Sequence, residues 1–225
     1  LNFECAGFVT AVYPTGKWAN LQNQVLYAKT DIGGVYKSTN NGLNWISISS
    51  YFEGDNEPYM HLYYSEYIIA GLAVNPKDSN NVVIAWGSLK TDAEAAGYQC
   101  LWMTSNGGST WHKSIFQNCT GPWFDGDNLM RKVGGECIAF DPHNSGRVYV
   151  GGNPSSNNDK PKLYVSNDSG RSFTVLSSFD AYNNGESILC MSFQKDVQSN
   201  NRIWIGTTEG VYVSDYNGYP NFFVF

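Results

Sequence analysis

The sequence predicts an all-β fold, a β-propeller built from four four-stranded blades. Three observations predict it: a turn motif that recurs along the chain, short apolar segments that recur between the turns, and a composition rich in glycine and aromatics but poor in charge.

Composition sets the bounds. The chain has 225 residues, enough for one large domain or two small ones. Aromatic residues make up 15% and charged residues 15%, with 23 glycines, a balance that suits many short strands and argues against disorder or a helical bundle. The formal net charge is −6 and no basic stripe is present, so nucleic acid is not expected as a partner. No apolar run approaches the roughly 18 residues that span a bilayer, so no membrane span is expected.

The repeat is the strongest signal. Ser38-Thr39-Asn40-Asn41-Gly42-Leu43-Asn44-Trp45, Thr104-Ser105-Asn106-Gly107-Gly108-Ser109-Thr110-Trp111 and Ser166-Asn167-Asp168-Ser169-Gly170-Arg171-Ser172-Phe173 share one pattern. Each reads small hydroxyl, any residue, Asn or Asp, any residue, Gly, two further residues, aromatic: an Asp-box turn. The Asn or Asp side chain can bond back to turn amides, Gly supplies positive φ, and the aromatic opens the next strand facing the core. A worn fourth copy is Ser214-Asp215-Tyr216-Asn217-Gly218, followed by Phe222. The glycines stand at 42, 108, 170 and 218, giving spacings of 66, 62 and 48 residues. One unit with loops of variable length accounts for that drift.

Strands follow the same order in every unit. Inner strands are expected at Phe8 to Tyr13, Ile68 to Val74, Glu136 to Phe140 and Ile188 to Phe193. Turns follow, clearest in Asn75-Pro76 and Asp141-Pro142. Second strands are expected at Val25 to Ala28, Val82 to Trp86, Val148 to Val150 and Ile203 to Ile205. Third strands such as Val35 to Lys37 and Leu163 to Val165 run into the repeated turn, and a fourth leaves it, as in Trp45 to Ile48. The blades are placed at about 6–50, 67–117, 135–179 and 186–225. With no strand left over to lock first blade to last, the expectation is an incomplete ring.

Long loops mark the face where binding chemistry belongs. Opposite the repeated turns lie Ser49 to Tyr67, Gly87 to Gln99, Lys113 to Gly134, Gly151 to Lys162 and Ser177 to Ser187. They carry Tyr51, Phe52, Tyr59, Tyr63, Tyr64, Trp123, Phe124 and Tyr182. Aromatic rings beside carboxylates and amides stack on the apolar faces of sugars, and Tyr51, Tyr64 and Trp123 are the candidate substrate contacts. The same rings could equally pack the loops onto the blades.

Metal and cofactor signals are weak. Glu53, Asp55 and Glu57, and the pair Asp125 and Asp127, lack the regular spacing of a calcium loop and read as solvated loop charges. His61, His112 and His143 share no metal spacing, so no metal and no cofactor is expected. Of five cysteines, Cys100 and Cys119 flank one hairpin and could pair. The sequons Asn118-Cys119-Thr120 and Asn167-Asp168-Ser169 make Asn118 and Asn167 candidate glycan acceptors and point to an extracellular setting. The chain starts at Leu1, as a chain does whose leader has been removed or whose ends have been trimmed.

The stretch Gly7-Phe8-Val9-Thr10, followed by Leu26-Tyr27-Ala28-Lys29-Thr30-Asp31-Ile32-Gly33-Gly34-Val35-Tyr36, resembles the start of glycoside hydrolase family 74. The resemblance continues through Leu72-Ala73-Val74-Asn75-Pro76, through Gly134-Gly135-Glu136-Cys137-Ile138-Ala139-Phe140-Asp141-Pro142, and through Leu163 to Gly170. Thr-Asp-Ile-Gly-Gly is its most specific element, since the repeated turns are shared with sialidases and sortilin-type receptors. The resemblance implies a seven-bladed ring paired with a second one, and activity on xyloglucan or a related β-glucan. It also implies an inverting mechanism with Asp31 as general base, and Gly33 and Gly34 giving the substrate close approach to the backbone. Taken without the resemblance, Asp31 is an ordinary turn aspartate.

In that family the general acid comes from the second propeller, which this chain does not contain. A base alone is not a competent inverting site. Two readings therefore stand: the N-terminal portion of a secreted glucanase acting on or binding a polysaccharide or oligosaccharide, or a non-catalytic extracellular propeller for glycan binding, adhesion or assembly. A further propeller or a self-assembly partner is expected in either case.

Overall fold

The computed structural model describes residues 9–15, 24–30, 34–49, 69–86, 101–119, 121–122, 136–154, 158–176, 179, 183–195, 201–215 and 221–224. Among the described residues, seventeen strands form four sheets. The first holds β1 (Val9–Pro14), β2 (Leu26–Thr30), β3 (Val35–Ser38) and β4 (Ile46–Ser47). The second holds β5 (Ile69–Val74), β6 (Val82–Trp86), β7 (Leu101–Thr104) and β8 (His112–Lys113). A two-residue strand β9 (Ile115–Phe116) precedes the third sheet of β10 (Ile138–Phe140), β11 (Val148–Val150), β12 (Tyr164–Ser166) and β13 (Ser172–Val175). The fourth holds β14 (Ile188–Lys195), β15 (Asn201–Thr207), β16 (Val211–Asp215) and β17 (Asn221–Val224). Within each sheet, consecutive strands pair antiparallel in chain order.

Tight turns enforce this meander, and the three repeated turns share one set of bonds. The Ser38 hydroxyl accepts from the Gly42 N–H at 2.9 Å and donates to Asn40 Oδ1 at 3.0 Å, which also accepts from the Asn44 N–H at 2.9 Å. Thr104, Gly108, Asn106 and Thr110 repeat the arrangement at 3.1, 2.9 and 2.9 Å. Ser166, Gly170, Asp168 and Ser172 repeat it again at 2.9, 2.7 and 2.8 Å. Two successive residues in each turn have positive φ: Asn41 and Gly42, Gly107 and Gly108, Ser169 and Gly170. In the second and third turns the second residue of the pair is glycine for more than φ. A Cβ on Gly108 would meet Ile48 at 2.8 Å, and one on Gly170 would meet Val83 at 2.5 Å, so the second and third turns pack directly on the preceding sheet. In the worn fourth copy Tyr216 to Gly218 lie outside the described residues, while the flanking β16 and β17 pair.

The sheets stack face to face, and the core is three interlayers. Tyr27, Val35 and Ile48 of the first sheet meet Ile69, Leu72, Val82, Ile84 and Trp111 of the second. Ala73, Val83, Ala85, Leu101 and Met103 on the other face of the second meet Ile138, Phe140, Val148, Val150, Tyr164 and Phe173 of the third. Tyr149 and Leu163 meet Ile188, Met191, Ile203, Ile205 and Tyr212 of the fourth. A sheet covered on both faces explains why β6 and β11 are continuous apolar runs rather than alternating ones. Each buried Val, Leu or Ile contributes about 1.5–3 kcal/mol relative to exposure.

The third sheet departs from the expected four strands. The chain after β8 bends at Ser114, whose N–H still bonds Leu101 O at 2.9 Å while its hydroxyl donates to Gly170 O at 2.6 Å. β9 then runs parallel to β13, with Ile115 N–H to Arg171 O and Gln117 N–H to Phe173 O both at 2.9 Å. Residues 115–116, expected in the long segment from Lys113 to Gly134, are thus the fifth strand of the next sheet.

Bulges recur at one end of three inner strands. Register shifts fall between Val9 and Ala11, between Ile69 and Gly71, and between Ile188 and Cys190. This is the end opposite the repeated turns, where the long loops emerge. Bulges there twist the strand ends and re-aim their side chains.

Candidate functional site

The loop end of the first sheet is a hairpin between β2 and β3. Thr30 is fully buried, and its N–H and hydroxyl both donate to Gly34 O, at 3.1 and 3.2 Å. Asp31 and Gly33 lie outside the described residues, as do Tyr51, Tyr64 and Trp123. Gly34 is described. It has φ 85°, and a Cβ there would fall on the Ser49 hydroxyl, which itself accepts from the Val35 N–H at 3.1 Å. The positive φ expected of a turn glycine is present, and the space beside it is filled by Ser49.

Beside this hairpin Tyr13 and Lys29 of the first sheet meet Glu136 of the third, and backbone N–H groups of the second and fourth sheets complete the cluster. Lys29, next to Thr30 in β2, is 1% exposed, and its Nζ sits 2.6 Å from Glu136 Oε1 and 3.4 Å from Ala70 O. Tyr13 of β1 donates its hydroxyl to the same Glu136 oxygen. The other carboxylate oxygen accepts the Leu72 N–H of β5 at 2.7 Å, and the Glu136 carbonyl accepts the Met191 N–H of β14 at 3.0 Å. Glu136, just ahead of β10, thereby ties the inner strands together. Thr10, the bulged residue of β1, donates its hydroxyl to Lys29 O at 3.3 Å, and Ala70 is the bulged residue of β5.

The electrostatics follow from burial. Loss of water pushes the Glu136 carboxyl above its usual range, although the Lys29 ammonium, the Tyr13 hydroxyl and the Leu72 N–H pull it back. Burial, then the Glu136 charge, pushes the Tyr13 hydroxyl far above the ordinary phenol range. The neighbouring Cys137 thiol is pushed up to about 12, chiefly by burial. Tyr13, Lys29 and Glu136 are each held by at least one neighbour in the cluster, so the cluster is built as a scaffold that joins the inner strands.

Glu186 occupies the position in the fourth sheet that Glu136 occupies in the third, each following a glycine and preceding an inner strand. It is 1% exposed and accepts from the Thr207 and Tyr212 hydroxyls, the latter at 3.0 Å, and from the Asn183 N–H at 3.3 Å. One carboxylate is thus ion-paired and the other held by hydroxyls. Sequence reasoning passed over both; the shared Gly-Glu pair before an inner strand was the available signal.

The remaining candidates lie outside this cluster or serve no chemistry in it. Asn118 and Asn167 are exposed, Asn118 at φ 54° and Asn167 with its Oδ1 accepting from Arg147 Nε at 3.0 Å. Cys119 has a free thiol, as do Cys137 and Cys190, and Cys100 lies outside the described residues. Among the described residues no group of three or more His, Cys, Asp or Glu is placed to hold a metal ion, and no helix is long and apolar enough to cross a membrane.

An all-β chain of stacked antiparallel meanders is propeller-like in class. Its sequence is similar to the xyloglucanases of glycoside hydrolase family 74. It is 25% identical over 215 residues, 94% of the chain, to an oligoxyloglucan-reducing end-specific xyloglucanase of Emericella nidulans. It is 27% identical over 210 residues to a xyloglucanase of Hypocrea jecorina, and 29% identical over 130 residues, 58% of the chain, to a xyloglucanase of Acetivibrio thermocellus. The fold is similar to that of the family 74 enzyme of Niastella koreensis, with TM-score 0.69 and 21% identity over 98% of the chain. It is also similar to that of the family 74 xyloglucanase of Xanthomonas campestris, with TM-score 0.63 and 23% identity over 93%. The chain spans 14–23% of the length of these curated relatives and about 30% of the solved ones. No protein-family model matches it.

Proposed function

We propose that this chain is the N-terminal part of a secreted glycoside hydrolase acting on xyloglucan or a related branched β-glucan. In this reading four blades, at about 6–50, 67–117, 135–179 and 186–225, begin a seven-bladed ring with Asp-box turns. The observation that carries it is similarity to xyloglucanases along 94% of the chain. Asp31 is the general base of an inverting reaction, activating water on one side of the glycosidic bond. The general acid is supplied from beyond this chain, about 6.5–9.5 Å from the base across the bond. Tyr51, Tyr64 and Trp123 stack on the glucan backbone or its branches, Gly33 and Gly34 let it approach, and Asn118 and Asn167 carry glycans. The rigid frame on both sides of residues 31–33 supports this assignment, because a base must be held in place to direct a water molecule.

The test uses the full-length natural protein and xyloglucan. Turnover should release oligosaccharides of inverted anomeric configuration, read by NMR within the first minutes of reaction. Asp31→Asn should lower kcat by about 10²–10⁴ while leaving polysaccharide binding in place. Absence of any released oligosaccharide, or an Asp31→Asn variant with full turnover, would contradict the proposal.

A further inference from the structure

We propose that Glu136 is a positioning residue for the Thr30–Gly34 hairpin, acting on it through Lys29; this rests on the reading of Asp31 as the base. The hairpin leaves β2 at Thr30, and the residue before Thr30 is a fully buried lysine ion-paired with Glu136. Lys29 has two fixed attachments at its Nζ, Glu136 Oε1 at 2.6 Å and Ala70 O at 3.4 Å. Its backbone is held separately by the Thr10 hydroxyl on Lys29 O. Glu136 is immobile in turn, because its two oxygens take donors from β1, β2 and β5 and its carbonyl takes one from β14. The upper end of β2 is therefore referenced to the other three sheets through one residue, Glu136. On the far strand of the hairpin, Ser49 holds Val35 and fills the space at Gly34.

A buried ion pair is weak evidence for stability, since apolar residues of similar volume often do as well or better. Directional hydrogen bonds do what an apolar pair cannot: they fix a strand end against sliding and rotation. Geometry within about 0.5 Å matters for a base, whereas it matters little for burial.

Glu136→Gln and the double variant Lys29→Met/Glu136→Leu separate the two roles in the full-length protein. Gln keeps one acceptor but turns an NH2 group toward either the Leu72 N–H or Lys29, so it breaks the arrangement without changing volume. Glu136→Gln should lower kcat at least about tenfold with KM within about twofold, the signature of an interaction needed for reaction and not for binding. Amide exchange at Thr30 should accelerate about tenfold. The double variant should regain thermal stability while kcat stays low. Recovery of kcat together with stability in the double variant would overturn the inference, as would unchanged Thr30 exchange in Glu136→Gln. Full turnover by Asp31→Asn would instead overturn the assignment of the base, and the inference with it.

Discussion

At the scale of single residues, Gly34 combines two demands that only glycine meets. Its φ of 85° is costly for any residue with a Cβ, and the position that Cβ would take is occupied by the Ser49 hydroxyl. Gly34→Ala should therefore destabilise the protein by about 2–4 kcal/mol, the sum of backbone strain and loss of the Ser49 bond to Val35. Chemical denaturation measures this directly. Gly34→Ala/Ser49→Ala should cost less than the sum of the single changes, because removing the hydroxyl relieves the collision. The turn residues were legible in the sequence for a simple reason. Ser38, Asn40 and Gly42 bond to each other within four positions, so their chemistry is written locally. Lys29 and Glu136 were not legible, since they stand more than a hundred positions apart and only the packing of four sheets brings them together.

At the scale of elements, the strand order was readable, and its exceptions are informative. β1, β5 and β14 were each expected within a residue or two of where they occur. Their bulges were not, because an unpaired residue such as Ala70 looks no different from its neighbours in an apolar run. β9 was also hidden, since a two-residue parallel pairing has no periodicity of its own. Its bonds are backbone bonds, and the Ile115 side chain is 60% exposed. Ile115→Thr should thus change stability by less than about 1 kcal/mol, whereas Ile115→Pro, which removes the N–H bonded to Arg171 O, should cost about 3 kcal/mol. Thermal unfolding of the two variants compares them. Equal losses would mean that the side chain and not the ladder holds the junction between the second and third sheets.

At the scale of the whole molecule, the Glu136 cluster makes stability depend on pH in an unusual direction. Burial holds its carboxyl above the ordinary range, despite Lys29. A carboxyl whose folded pKa exceeds its unfolded value of about 4.3 contributes stability that is complete below that value and lost as pH rises through the folded pKa. Asp168 works the other way. Burial pushes its carboxyl up, but the Ser172 hydroxyl and N–H, the Ser166 hydroxyl and the Arg171 N–H more than offset this, and its stabilisation is lost as pH falls. Comparing wild type with Lys29→Met/Glu136→Leu isolates the first contribution. The wild-type unfolding midpoint should fall relative to the variant as pH is raised above the carboxylate range. A difference that stays flat with pH would show that the pair titrates alike in the folded and unfolded chain.

The junction at Ser114 has a consequence for how copies of the protein meet one another. An outer strand with an uncovered row of N–H and C=O groups invites pairing with a strand from another molecule. β13 would be such a strand, but the chain lays its own β9 along that edge and uses up the Arg171 and Phe173 carbonyls. That stretch of the β13 edge is thereby occupied by a neighbour already tethered to it, and the exposed Ile115 marks where a strand from outside would first compete for it.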